Sequence, residues 1–460
     1  MSDPTTPGWT CVRDDGHACT IWQRGFHGRG NYLRVYVPDG AARADQPLRA
    51  VLYLHGFALC MPSFYESHLL ALAAEGYIVF FPDFQRSAYP SPAPGHPVPT
   101  WQAVPRAGSW TGTALRLAVR PAAEAVRAED LPEALTSGSA AEREGVGAAE
   151  PPTVGDLRRV LFPLLLIELI LMVIGWFRRT YARNLSHLLR TVAMSLASSP
   201  KQWLTQALAL VEAGWDDLSR EPAYGHWQGA QPMVYGFGHS LGGLLSLSLP
   251  WALRHDPAAR FRPRVIVVAD PAAASEMGIP RFAIALLRLF GAPFTADPLR
   301  IRQTGSQLCQ PVAILHGAAD VLVPPAQWVG PTDGGGTNFS AIASQAKAIY
   351  FSCSVPDSHP PLCAVHNQAV TCTRYYDDAL FEFFGGVKHG ANAYNTAYIW
   401  PGALVLFGEQ VQPADLLGAL PERPFAITTG EPPPPDGAGC RTGGAPPPGA
   451  GGSRPRDPSR

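Results

Sequence analysis

Hydrophobic residues fall into short aliphatic runs separated by helix-like stretches, and this rhythm predicts most of the architecture. Ala50 to His55 is an apolar run closed by Gly56, which suits a buried parallel strand. Tyr65 to Ala74 carries apolar residues at helical spacing, with Gly76 just past its end. Tyr77 to Phe81 is a second buried strand, stopped by Pro82. Strand, helix and strand in so short a span make a βαβ unit, which implies a parallel sheet with right-handed crossovers. The rhythm resumes at Pro232 to Gly236, Val265 to Ala269, Val312 to His316 and Ala348 to Phe351. A further strand is expected at Tyr32 to Val37, and a late helix at Arg374 to Phe384.

Between residues 85 and 230 no comparable strand is expected. This insert opens with a Pro-rich loop from Ser91 to Pro99. Ala122 to Glu150, rich in Ala and Glu, reads as either helix or disorder. Trp203 to Leu218 has an amphipathic helical pattern. The expected organisation is a lead-in over 1–46, a core over 47–84 and 231–408, the insert over 85–230, and a Pro/Gly-rich disordered tail over 431–460. There is no internal repeat.

The chain has 460 residues, of which 46% are hydrophobic, enough for a full core. Its net charge of −1 argues against nucleic acid as the main partner, because phosphate binding needs a basic surplus. The 45 glycines and 47 prolines follow no triplet period, so they mark loops and tails rather than collagen. Eight cysteines without a CxxC pair argue against a zinc ribbon or a disulfide scaffold. An oxidising compartment would allow one disulfide among Cys353, Cys363 and Cys372. The opening MSDPTTPGWT has no basic or apolar signal region, so no cleavable secretory signal is expected there.

The strongest chemical signal is Gly238-His239-Ser240-Leu241-Gly242, a G-x-S-x-G. The bare motif is only suggestive, since about 0.24 chance matches are expected at this composition. Its context raises it: a predicted strand precedes it and an apolar helix, Leu244 to Leu253, follows. A serine on a tight strand-to-helix turn is a nucleophile elbow, and the helix N-terminus favours a developing negative charge. A hydroxyl also needs a base within reach and an acid to orient that base.

With these motifs the chain resembles the α/β-hydrolase superfamily on its esterase and lipase side, with a chlorophyllase-like or dienelactone-hydrolase-like branch open. Leu54-His55-Gly56-Phe57 resembles the family's oxyanion loop, and Gly238 to Gly243 its elbow. His316-Gly317-Ala318-Ala319-Asp320, followed by Val323-Pro324, resembles its acid turn. The resemblance spans about 50–84 and 231–385, and leaves out the insert and the tail. It implies a doubly wound, mostly parallel α/β sheet with a large helical insert before the nucleophile strand. It also implies the order nucleophile, acid, base: Ser240, Asp320, then a histidine. Asp270 competes as the acid; its plainer reading is a turn-initiating residue before Pro271. For the base, His366 is favoured over His359, while His389 follows the late helix and is demoted. Leu241 should supply one oxyanion N–H and Phe57 or Ala58 the other. His55 and His239 are expected to pack or hydrogen-bond rather than react.

The eighteen residues from Val160 to Phe177 are nearly pure hydrocarbon, bracketed by Arg158-Arg159 and Arg178-Arg179. A helix of that length spans about 27 Å, just enough for a bilayer core. Glu168 at its centre costs roughly a few kcal/mol in lipid if charged. The strands before and after the insert belong to one sheet, so crossings must be even in number, and Leu188 to Ala197 is a poor second span. A monotopic membrane contact is therefore expected ahead of a span, with a lid or dimer core as the alternative. Phe282 to Phe290 is a second segment that could shape an apolar cleft.

The sequence thus points to a serine hydrolase of carboxylic esters with apolar groups, acting on a small apolar substrate without metal or organic cofactor. Thioesterase or lactonase chemistry on the same triad, or a non-catalytic binding protein of this fold, are the alternatives.

Overall fold

The computed structural model describes residues 9–89, 185–279, 281–373 and 385–432. Ten strands form one sheet: β1 (Thr10–Asp14), β2 (Cys19–Arg24), β3 (Leu33–Pro38), β4 (Arg49–Leu54), β5 (Ile78–Pro82), β6 (Met233–His239), β7 (Val265–Ala269), β8 (Val312–Gly317), β9 (Lys347–Ser352) and β10 (Ile427–Thr429). Their spatial order is β1-β2-β3-β5-β4-β6-β7-β8-β9-β10. The run from β5 through β4 to β9 is parallel, and antiparallel strands flank it at both edges.

Each aliphatic run forms a central strand because both of its faces are buried. On β4, Ala50, Leu52 and Leu54 join a layer with Trp203, Trp215 and Leu244, while Val51 and Tyr53 face a layer with Leu69 and Leu406. The helix Pro200–Leu218 starts at a capping box, Ser199 with Gln202, and buries Trp203, Leu204, Ala207, Val211 and Trp215 against the first layer. No strand occurs among the described residues of the insert.

Several expectations need correction or placement. The lead-in over 1–46 holds three strands rather than one, all joined to the sheet. The first two escape notice because they alternate half-exposed, polar positions instead of forming an aliphatic run. The sheet also extends past residue 408 through β10, whose three residues are too few to show periodicity. No disulfide joins Cys353, Cys363 and Cys372 to one another. The expected helix 374–384, the tail from 433 onward and the apolar segment 160–177 lie outside the described residues. Among the described residues no helix is long and apolar enough to cross a membrane.

Candidate active site

Strand β6 ends at His239, Ser240 makes the turn, and the helix Leu241–Ala252 begins at once. Ser240 sits at φ 56°, ψ −120°, a strained conformation held by its N–H to Ala269 O (3.0 Å) and by Ala272 N–H to its carbonyl (3.0 Å). Two glycines permit this turn. A Cβ on Gly238 would lie 2.2 Å from Gly242 O, and one on Gly242 would lie 2.1 Å from Leu54 O. The elbow helix therefore approaches the end of β4 as closely as backbone allows.

Asp320 lies just beyond β8 and is buried. Its Oδ1 accepts from Leu322 N–H and Val323 N–H, both at 2.9 Å, which fixes the carboxylate's orientation. Its Oδ2 accepts from His366 Nδ1 at 2.6 Å, and His366 Nε2 accepts from Ser240 Oγ at 2.7 Å. The structure thus brings Ser240, His366 and Asp320 into one hydrogen-bonded line. Ser240 is half-buried, while His366 and Asp320 are buried. Burial pushes the Asp320 carboxyl up, but the facing His366, His316 and the Val323 N–H outweigh it and hold it below its ordinary value. This strand order, with the serine elbow after β6 and the order Ser, Asp, His, decides the architecture.

The chain has the α/β-hydrolase fold. A scan of protein-family models finds no match, and neither does a search of curated proteins. Among solved structures, TT1662 from Thermus thermophilus is similar at 15% identity, covering 72% of this chain and 89% of that one, with a TM-score of 0.30. A cold-adapted esterase from an Arctic intertidal metagenomic library is similar at 11% identity, covering 75% of this chain and 89% of that one, TM-score 0.32. The acylaminoacyl peptidase of Pyrococcus horikoshii is similar at 9% identity, covering 76% of this chain and 37% of that one, TM-score 0.34. Likenesses this loose carry no weight beside the hydrolase strand order and elbow.

The other candidates are placed differently. His359 is exposed, and its ring nitrogen meets Asp357 O at 3.1 Å. His389 is exposed as well. Asp270 is fully buried and accepts from Gly317 N–H at 2.8 Å, while its Oδ2 has no hydrogen-bond partner among the described residues. Burial, then the nearby charge of Asp320, raises its carboxyl well above the ordinary range.

In the loop after β4, Gly56 N–H donates to Tyr65 Oη at 3.0 Å and Ala58 N–H to Gln85 Oε1 at 2.9 Å. Phe57 N–H has no such partner among the described residues. The Phe57 ring lies 6.3 Å from that of Trp203 and 6.4 Å from that of Phe294, which makes an aromatic wall beside the loop.

Among the described residues two buried groups contain metal-ligand residue types, His55 with Cys60 and Asp83, and His316 with Asp270 and Asp320. Their chemistry is already engaged. Asp83 Oδ2 meets His27 Nδ1 at 2.7 Å and Ser87 Oγ at 2.6 Å, and burial holds the Cys60 thiol protonated. In the second group, Asp320 serves His366.

Sequence reasoning missed Tyr65, Gln368 and Lys388, which surround this site without a motif of their own. Gln368 accepts from Ser352 Oγ at 2.7 Å. Lys388 Nζ donates to Gln368 O and Asn392 Oδ1, both at 3.0 Å, and burial lowers its pKa to about 7.

Proposed function

We propose that the protein is a serine hydrolase that cleaves carboxylic esters bearing apolar groups through an acyl-enzyme. The observation that carries this reading is the line Ser240 Oγ, His366, Asp320, with links of 2.7 and 2.6 Å, built on a strained elbow. Ser240 attacks the ester carbonyl as His366 Nε2 takes its proton. Asp320 holds the Nδ1–H tautomer and stabilises the imidazolium. His366 then delivers the proton to the leaving alcohol, and water reverses the sequence on the acyl-enzyme. The oxyanion falls to Leu241 N–H, a donor orphaned at the helix start, and to Phe57 N–H. Phe57 is preferred to Ala58 because the Ala58 N–H is already committed to Gln85. The aromatic wall of Phe57, Trp203 and Phe294 supports an apolar acyl or alcohol group.

Residues 160–177 are proposed as a membrane contact that does not span. Strands β5 and β6 both pair with β4, so the chain leaves and re-enters the same sheet around the insert.

The test is labelling with a fluorophosphonate followed by peptide mapping. Covalent label on Ser240 supports the hydrolase; an unreactive protein points to a binding role for the fold, and label elsewhere removes Ser240 as nucleophile.

A further inference from the structure

His239 and Tyr65 form a chain of hydrogen bonds whose directions are all forced. The carbonyl oxygen of His366 can only accept, so neutral His239 carries its proton on Nε2, which faces that oxygen at 3.0 Å. His239 Nδ1 is then the acceptor, and the Tyr65 hydroxyl donates to it at 2.9 Å. Gly56 N–H can only donate, so Tyr65 Oη accepts from it at 3.0 Å, and the chain closes without conflict. Tyr65, His239 and His366 are all buried. We propose that Tyr65 and His239 are positioning residues that lock the oxyanion loop at Gly56 to the backbone of the base at His366. The proposal rests on the reading of Ser240 and His366 as reacting groups.

A second observation explains why the loop carries glycine here. A Cβ on Gly56 would lie 2.9 Å from His239 Nδ1, so a side chain would wedge the loop off the relay. The relay is also electrically quiet. Burial, then the neighbouring His366, lowers the His239 pKa to about 3, and burial raises the Tyr65 phenol far above its ordinary value. Both stay neutral while His366 gains and loses its proton. His239 therefore fixes where His366 stands without competing for the proton that His366 moves. The two halves of the site, oxyanion donors and base, must hold their relation to within a fraction of an ångström, and three short bonds across two loops and the elbow supply that.

The test uses the full chain with a short p-nitrophenyl ester and a fluorophosphonate probe. His239→Phe should lower kcat about 10- to 100-fold with KM changed less than about two-fold. Tyr65→Phe should lower kcat by less, and the double variant should be no slower than His239→Phe, because both act through one chain of bonds. His239→Gln, whose amide N–H can still donate, should recover most of the loss. Wild-type kcat in Tyr65→Phe, a loss confined to KM, or multiplying losses in the double variant would overturn the relay. If His239→Phe does not fold, Tyr65→Phe and His239→Gln carry the same comparison. If the wild type fails to label at Ser240, the hydrolase reading fails separately. The relay is then judged by the His366 ring resonances in nitrogen NMR: a shift in Tyr65→Phe supports it, and no shift overturns it.

Discussion

His366 Nδ1 lies 2.6 Å from Asp320 Oδ2, although 46 residues of chain separate them. The contact is held from both sides. Asp320 is oriented by two backbone N–H groups after β8, and Ala319 N–H reaches Ala364 O at 3.0 Å, which draws the His366 loop onto the Asp320 turn. A carboxylate so held can fix the imidazole tautomer that leaves Nε2 free to face Ser240.

Ser240→Ala should remove ester cleavage and fluorophosphonate labelling, with a loss of about 10⁴-fold or more in kcat. Intact circular dichroism and thermal unfolding would show that the fold survives. Residual labelling at another serine would move the nucleophile away from the elbow.

His366→Ala should match that loss, and its combination with Ser240→Ala should be no worse, since a triad acts as a unit. His359→Ala should keep at least about a tenth of the activity, because His359 is exposed and bonded to Asp357 instead. Steady-state kinetics on the three variants distinguish the two histidines.

Asp270→Asn should change how stability depends on pH. The folded carboxyl, raised by burial and by Asp320, keeps a proton that the unfolded chain releases at about pH 4. Above that pH the unfolded state binds fewer protons, so wild-type stability falls as pH rises. Asparagine cannot ionise, so the variant should gain on the wild type between about pH 5 and 7. Urea unfolding at the two pH values measures this. A constant difference would show that Asp270 ionises normally in the fold. The comparison stops at pH 7 because Lys388 titrates near there with the opposite sign.

Gly242→Ala should destabilise the protein by about 3 kcal/mol and lower activity with it, because its Cβ would meet the carbonyl oxygens of Leu54 and His55 at 2.1 and 2.4 Å. Thermal unfolding reports the first effect. A variant as stable as the wild type would show that the elbow helix can shift away from β4.

Deleting residues 156–180 should abolish flotation with lipid vesicles while leaving Ser240 reactive toward short esters. Activity on long-chain esters in vesicles should fall further than activity on short ones, because nothing then presents the site to lipid. If the deletion unfolds the hydrolase core, the segment is a structural helix and the membrane contact is withdrawn.

The central strands β4 to β9, the elbow and its helix were legible in the chain, because burial on both faces demands uninterrupted aliphatic runs and a tight turn demands glycine. The sequence likewise named Ser240 and Asp320 through short motifs in order, and favoured His366 as their partner. It did not show β1, β2 or β10, whose half-exposed or very short segments carry little hydrophobic signal. It favoured His366 over His359 but carried no mark of their depth; the turn of that loop onto Ala319 buries one ring against Asp320 and leaves the other in solvent. Asp270 stayed open between a competing acid and a turn residue, because a single Asp-Pro carries no mark of depth, and only the tertiary packing buries it. Tyr65 and His239 meet across 174 residues, so their link belongs to the tertiary structure alone. Local patterns set which segments must be buried, whereas contacts between distant segments depend on how the sheet brings their ends together, and that relation has no period along the chain.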